Sequence, residues 1–311
     1  MQKTAAAPVD PSEKKVWEQA RALRLRELRA IALHALTTDE TDIPVWQYYG
    51  ELKELRMRPL LAEWFEARIA LCLAAEIRPS ATVRAIKDLR DLRRRRGQED
   101  KFLAFEALFK NAKGARLLTN HGYGNKLFSD LDHTSVWTRV SGHISVLGER
   151  GYDVFLNSGT LLGVVRDQKL IDHDDDIDLA VILNATSAEA AAVEWKELTH
   201  GIRALGLLDE ENFGAASIIK LLPVEGVQID LFPAWFEGER VFVYPHTFGE
   251  LNREDVLPLK PCLITGNPVP AHAERMLEVN YGRGWDKPDP YFKFPWGRAN
   301  KNFKVFLEAL S

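Results

Sequence analysis

The sequence predicts an α+β protein, with an all-helical N-terminal domain followed by a domain built on a small mixed β-sheet flanked by helices. Three observations carry that prediction. The first third of the chain shows helical apolar spacing punctuated by prolines and glycines. The glycine-bearing segment TNHGYGNK, residues 119–126, then interrupts the pattern. Beyond it, the runs YDVFLNSG, IDLAVIL, SIIKLL and VQIDLFPAW read as strands interleaved with helical stretches. The domains are therefore expected at 1–118 and 127–311, joined by a linker over 119–126.

In the first domain Asp10 reads as a helix cap, with Pro11 in the first turn and Glu13 completing a capping box. Val16, Ala20, Leu23, Leu28, Ile31 and Ala35 fall near one face of a helix reaching about Leu36. Pro44 and Pro59 stand where new helices begin, and Pro79 ends the apolar segment Leu60 to Ile77. A fourth helix runs from Ser80 to Gly97 and a fifth from about Glu99 to Asn111. Their uneven spacing excludes a helical repeat. In the second domain, helices are expected over about 134–150, over TLLGVVRD, and over Ser187 to Leu205, with SIIKLL and VQIDLFPAW joined as a hairpin through PVEG.

Composition narrows the function. Across 311 residues, 41 Lys plus Arg oppose 45 Asp plus Glu, a net charge of −4 that excludes a polycationic nucleic-acid wrapper, so no nucleic-acid partner is expected. Cys72 and Cys262 form no CxxC pair, which argues against a disulfide framework and a zinc module. No apolar run approaches the roughly 18 residues of a membrane helix, and the N-terminal MQKTAAAPVDPSEKK lacks a secretory apolar stretch. A cytoplasmic protein is expected. Neither GxxxxGK[ST] nor GxGxxG occurs, which excludes P-loop and Rossmann cofactors. Arg84 to Arg96 carries seven basic residues against Asp88 and Asp91; this run suits peripheral contact with an anionic inner membrane face, or simply a solvated helix face.

The most informative segment is NSGTLLGVVRDQKLIDHDDDIDLAVIL, residues 157–183. Asp167, Asp172, Asp174, Asp175, Asp176 and Asp178 crowd into it, opposed only by Lys169 among lysines. Like charges so close repel and raise one another's pKa unless a cation neutralises them, which points to a divalent metal site. Asp176 and Asp178 enter a strand at spacing i, i+2, so their carboxylates share a face and suit a hard cation such as magnesium. A calcium loop starting at Asp174 is rejected, because Leu179 holds the glycine position and Ala185 the twelfth. Ser158, Gly159 and Thr160 form a strand-to-helix turn suited to a phosphate. Arg166 could clamp that phosphate or pair with Asp167. Asp230 in VQIDLFPAW completes a carboxylate triad if its strand pairs near Ile177 to Leu183, and is solvent-facing if it lies at an edge. Lys220 could reach a phosphate or a neighbouring acid.

These residues resemble a known family. The glycine-bearing turn, the Asp-x-Asp strand and a separate third Asp resemble the nucleotidyltransferase superfamily, and GTLLGVVRDQKLIDHDDDIDL with IDLFP is similar to the blocks of the LicD/fukutin-type phosphotransferases. DVLPLKPCLITGNPVP, the helix to Tyr281 and YGRGWDKP resemble that family's closing elements, so the resemblance covers about residues 127–290. It implies transfer of a phosphorylated group, such as phosphocholine or ribitol- or glycerol-phosphate, from a CDP-linked donor to a sugar hydroxyl of a glycan or lipid-linked glycan. It also implies Asp176, Asp178 and Asp230 as metal-binding and catalytic acids for two Mg2+ (or Mn2+) ions. Ser158, Gly159, Thr160, Arg166 and Lys220 would hold the donor. The chain departs from the pattern at Asp172 and His173, where proline and tryptophan are expected. A nucleotidyltransferase that releases pyrophosphate from an NTP uses the same site, and a non-catalytic scaffold is the alternative outside enzymes. Trp235, Tyr244, Tyr281, Trp285 and Trp296 are candidates for stacking on sugar or cytosine, or for packing.

Overall fold

The computed structural model describes residues 10–38, 42–57, 59–113, 117–118, 122–124, 128, 132–172, 174–214 and 216–311. The chain divides into two compact units, residues 1–126 with Tyr291–Lys293, and residues 127–290 with Phe294–Ser311. Most of the expected linker, and His173, lie outside the described residues.

The first unit contains α1 (Pro11–Thr38), α2 (Val45–Glu54), α3 (Ala62–Ala74), α4 (Pro79–Arg95) and α5 (Glu99–Lys113), then a two-residue ladder of β1 (Leu117–Leu118) with β2 (Tyr123–Gly124). Proline placement explains two of the boundaries: Pro44 directly precedes α2, and Pro79 is the first residue of α4 rather than the end of its predecessor. The buried face of α1 is Leu25, Leu28, Ala32, Ala35 and Leu36. Val16, Ala20 and Leu23 are exposed, which corrects the expected stripe: the buried face of α1 begins only at Leu25. Helix α3 is buried on nearly every side and packs against α1 and α4. Its Glu66 accepts from Arg29 Nε at 2.8 Å and from Arg93 at 2.6 Å. That pair, Lys87–Asp91, Arg94–Glu99, Arg96 donating to the Leu60 carbonyl, and Arg90 over the Tyr291 ring engage most of the basic run on α4.

The second unit opens with α6 (Thr134–Gly148) and β3 (Asp153–Leu156), then α7 (Ser158–Leu162), which continues into a π turn over Gly163–Asp167. Next come β4 (Asp176–Ile182), α8 (Ala188–Ala204), β5 (Ile219–Val224) and β6 (Val227–Glu237). The hairpin of β7 (Arg240–Val243) and β8 (Thr247–Asn252) was not expected from the sequence. The short α9 (Arg253–Val256) leads to a ladder of β9 (Lys260–Pro261) with β10 (Pro268–Val269), and α10 (Ala273–Tyr281), α11 (Trp296–Asn302) and α12 (Lys304–Leu310) close the chain. The six-stranded sheet has the order β3-β4-β6-β7-β8, with β5 pairing the first half of β6. Among the described strands only β4 and β6 run parallel, so the sheet is mixed, as expected of an α+β domain. Trp235 stacks on Phe242 and Phe306 beneath α12, and Trp195 of α8 donates its indole N–H to the Ala216 carbonyl, so these tryptophans build core.

Candidate active site

The parallel pairing of β4 with β6 decides where the acids fall. Its register sets Asp176 beside Gln228 and Asp178 beside Asp230. Aligned residues of adjacent parallel strands share a face, so Asp176, Asp178 and Asp230 converge at one end of the sheet. The condition set for Asp230 is met: its strand lies inside the sheet, with β5 on its other side. Asp178 and Asp230 are 8% and 5% exposed, which for carboxylates demands partners. Lys220, directly opposite on β5, supplies one, placing Nζ 3.0 and 3.2 Å from the two Asp230 carboxylate oxygens. Of the two partners open to Lys220, the neighbouring acid is the one it meets.

The strand-to-helix turn is built around Asp178. The Asn157 N–H donates to the Asp178 carbonyl at 2.9 Å, the Gly159 N–H to Asp178 Oδ2 at 3.0 Å, and the Asp178 N–H to Thr160 Oγ1 at 2.9 Å. Two of the three residues expected to bind phosphate thus orient a carboxylate. Ser158 sits at φ +45° and its Oγ lies 3.4 Å from Nδ1 of His246.

Besides Asp178, the crowded acids separate into two groups. Asp167 is taken by Arg166 through a two-pronged pair at 2.8 and 2.6 Å, and Asp172 by Lys169 at 2.6 Å. Arg166 therefore faces its sequence neighbour, with its remaining fork 3.5 Å from the Trp285 carbonyl. The other group gathers: carboxylate oxygens of Asp174, Asp175 and Asp176 all lie within 4.8 Å of one another. Asp174 also carries a side-chain hydrogen bond with Asp176. Burial, then the charges of Asp176 and Asp175, hold Asp174 well above the usual carboxylate range. Burial, then Asp176, Asp174 and Asp230, do the same to Asp178. A carboxylate cluster so strained by its own charge fits a hard divalent cation, and all-oxygen donors suit magnesium or manganese.

Asp174 and Asp175 were read from sequence as members of the acidic run, and Asp174 as the start of a rejected calcium loop, because they precede the strand and the alternation argument begins at Asp176. Two further residues border the site. Burial lowers the His246 pKa to about 3, and its ring centroid is 4.4 Å from Phe294 and 5.9 Å from Tyr281. The Tyr281 phenol is pushed well above its ordinary value by burial and then by Asp178, Asp174 and Asp176, with Arg166 opposing, so it stays protonated among the acids. A lone histidine after Tyr-Pro gave no signal in the sequence, whereas Tyr281 stood out as an aromatic and as the start of the YGRGWDKP element.

Residues 151–273 match a family model described as the LicD/FKTN/FKRP nucleotidyltransferase domain. The match runs from just before β3 to the first residue of α10, so it includes all five clustered acids, Lys220, Arg166, the Ser158–Thr160 turn and His246, and stops short of Tyr281. No curated protein matches the chain.

Proposed function

We infer, from a chain whose residues 151–273 belong to the LicD/FKTN/FKRP nucleotidyltransferase domain family, that this protein moves a phosphorylated group from a CDP-linked donor to a sugar hydroxyl of a glycan. The family supports phosphotransferase-type, glycan-modifying chemistry in general. The finer reading rests on one observation: Asp178 and Asp230 stand side by side on parallel strands, in the same site as the crowded Asp174, Asp175 and Asp176 and the Ser158–Thr160 turn.

Asp176 and Asp178 would hold one or two divalent ions, with Asp174 and Asp230 completing the oxygen donors. When bound, magnesium or manganese would supply the positive charge that a diphosphate and its leaving group require in an in-line displacement. The protein's own groups do the positioning. Gly159 and Thr160 fix Asp178 from both its side chain and its main chain. Lys220 steadies Asp230, which serves as a ligand or accepts the proton of the acceptor hydroxyl. Tyr281, kept protonated, offers a hydrogen-bond donor to anionic oxygen.

The test is mass spectrometry of products after incubating the protein, Mg2+ and a glycan panel with CDP-choline, CDP-glycerol and CDP-ribitol. Expected are cytidine monophosphate and a glycan heavier by the transferred group, with Asp176→Asn and Asp178→Asn folded and slower by at least about 10²–10³-fold. Pyrophosphate release from an NTP would instead make the protein a nucleotidyltransferase. Unchanged donors throughout would return the scaffold reading.

A further inference from the structure

The turn that grips Asp178 is itself strained at one residue. Ser158 occupies the left-handed region at φ +45°, which a residue with a Cβ enters only when its surroundings hold it there. Its neighbours Asn157, Gly159 and Thr160 all bond to Asp178, whereas the Ser158 hydroxyl meets His246 Nδ1 at 3.4 Å.

His246 is fixed from behind. The next residue, Thr247, is fully buried and its Oγ1 donates to Asn280 Oδ1 of α10 at 2.9 Å, while Phe294 and Tyr281 flank the imidazole. Burial keeps the ring neutral at physiological pH, so it meets Ser158 as a hydrogen-bonding group without a charge.

We propose that His246 is a positioning residue for the divalent-cation site: through the Ser158 hydroxyl it holds the turn that aims the Asp178 carboxylate. This rests on reading the clustered acids as a cation site, and is independent of which group is transferred. Removal of such an indirect support typically weakens metal affinity by about 10–100-fold.

Mn2+ binding to the full chain, read by electron paramagnetic resonance and calorimetry, tests it without turnover. His246→Phe keeps an aromatic ring against Phe294 but deletes Nδ1, whereas His246→Asn loses the ring and keeps a hydrogen-bonding atom near the Nδ1 position. Expected is a loss of at least about tenfold in Mn2+ affinity for His246→Phe and for Ser158→Ala, recovery in His246→Asn to within about threefold, and a double mutant Ser158→Ala/His246→Phe no weaker than the worse single. The reverse order, with His246→Phe intact and His246→Asn impaired, would assign His246 to packing and overturn the proposal. If His246→Phe fails to fold, Ser158→Ala decides alone, and unchanged affinity there overturns it. Wild-type Mn2+ binding in Asp178→Asn would overturn the cation site itself. Cation binding that follows the expected order, with no cytidine monophosphate released from any donor, supports this inference while the transfer reading fails.

Discussion

The closest approach in the site is one that a side chain would forbid. A Cβ on residue 159 would clash with Asp174 Oδ2 and lie 3.5 Å from Asp178 Oδ2, so an added side chain must displace the Asp174 carboxylate. The obstructing atom is the tip of a side chain, which can rotate away at little cost to the fold. Gly159→Ala should therefore melt within a few degrees of wild type yet bind Mn2+ about tenfold more weakly, because displacing Asp174 breaks up the group it forms with Asp175 and Asp176. Unchanged Mn2+ affinity in calorimetry would remove Asp174 from the site. Gly163 supplies the contrast. A Cβ there would meet the Lys169 carbonyl at 2.6 Å and the Ile171 nitrogen at 3.2 Å, both main chain, so Gly163→Ala should cost about 1–3 kcal/mol of stability.

At the scale of elements, α3 holds the helical unit together by charge as well as by apolar burial. Glu66 is 3% exposed and joins Arg29 of α1 to Arg93 of α4, with Arg93 itself largely buried. Glu66→Ala leaves Arg93 with the neutral Gln98 Oε1 at 2.6 Å but without its carboxylate, and a loss of about 3 kcal/mol is expected in urea unfolding of this unit, with the Mn2+ affinity of the acids unchanged. A loss below about 1 kcal/mol would mean that Gln98 and water satisfy Arg93 without a counter-charge. Helix α3 was legible in the sequence because the run from Ile69 to Ala75 is apolar without interruption. The face of α1 was not, since an apolar residue such as Val16 or Leu23 keeps helical spacing whether or not anything lies opposite. The paired acids on β4 were legible from alternation alone. Asp230 was legible as a candidate third acid, but its place beside Asp178 was not, because 52 positions separate the two and only long-range pairing sets their register. The β7–β8 hairpin escaped notice because Pro245 and Gly249 break its alternation, and His246 with it.

The molecule as a whole should carry an acid-sensitive stability that does not depend on the cation site. His143 on α6 is 6% exposed, in a pocket lined by Val146, Leu147, Leu198, Ile202, Leu231 and, as its one other charged group among the described residues, Arg150. Its Nε2 has no hydrogen-bond partner among the described residues. Burial, helped by the Arg139 charge, lowers its pKa to about 4, below the ordinary 6.5. The folded state thus binds this proton less readily than the unfolded chain. The stabilisation is complete above about pH 6.5 and is lost as pH falls toward 4, a difference of about 3 kcal/mol at most. Carboxylates titrate over the lower part of that window and His246 is depressed in the same direction, so the wild-type profile alone cannot isolate one group. Subtraction can: His143→Phe keeps the apolar lining and removes the titration, leaving the other groups in both proteins. The difference in unfolding free energy between wild type and His143→Phe should be flat above pH 7 and drift toward the mutant's favour between pH 6.5 and 4. Parallel profiles across that range would show that His143 reaches water or a partner when protonated, and that the pocket around it is not closed.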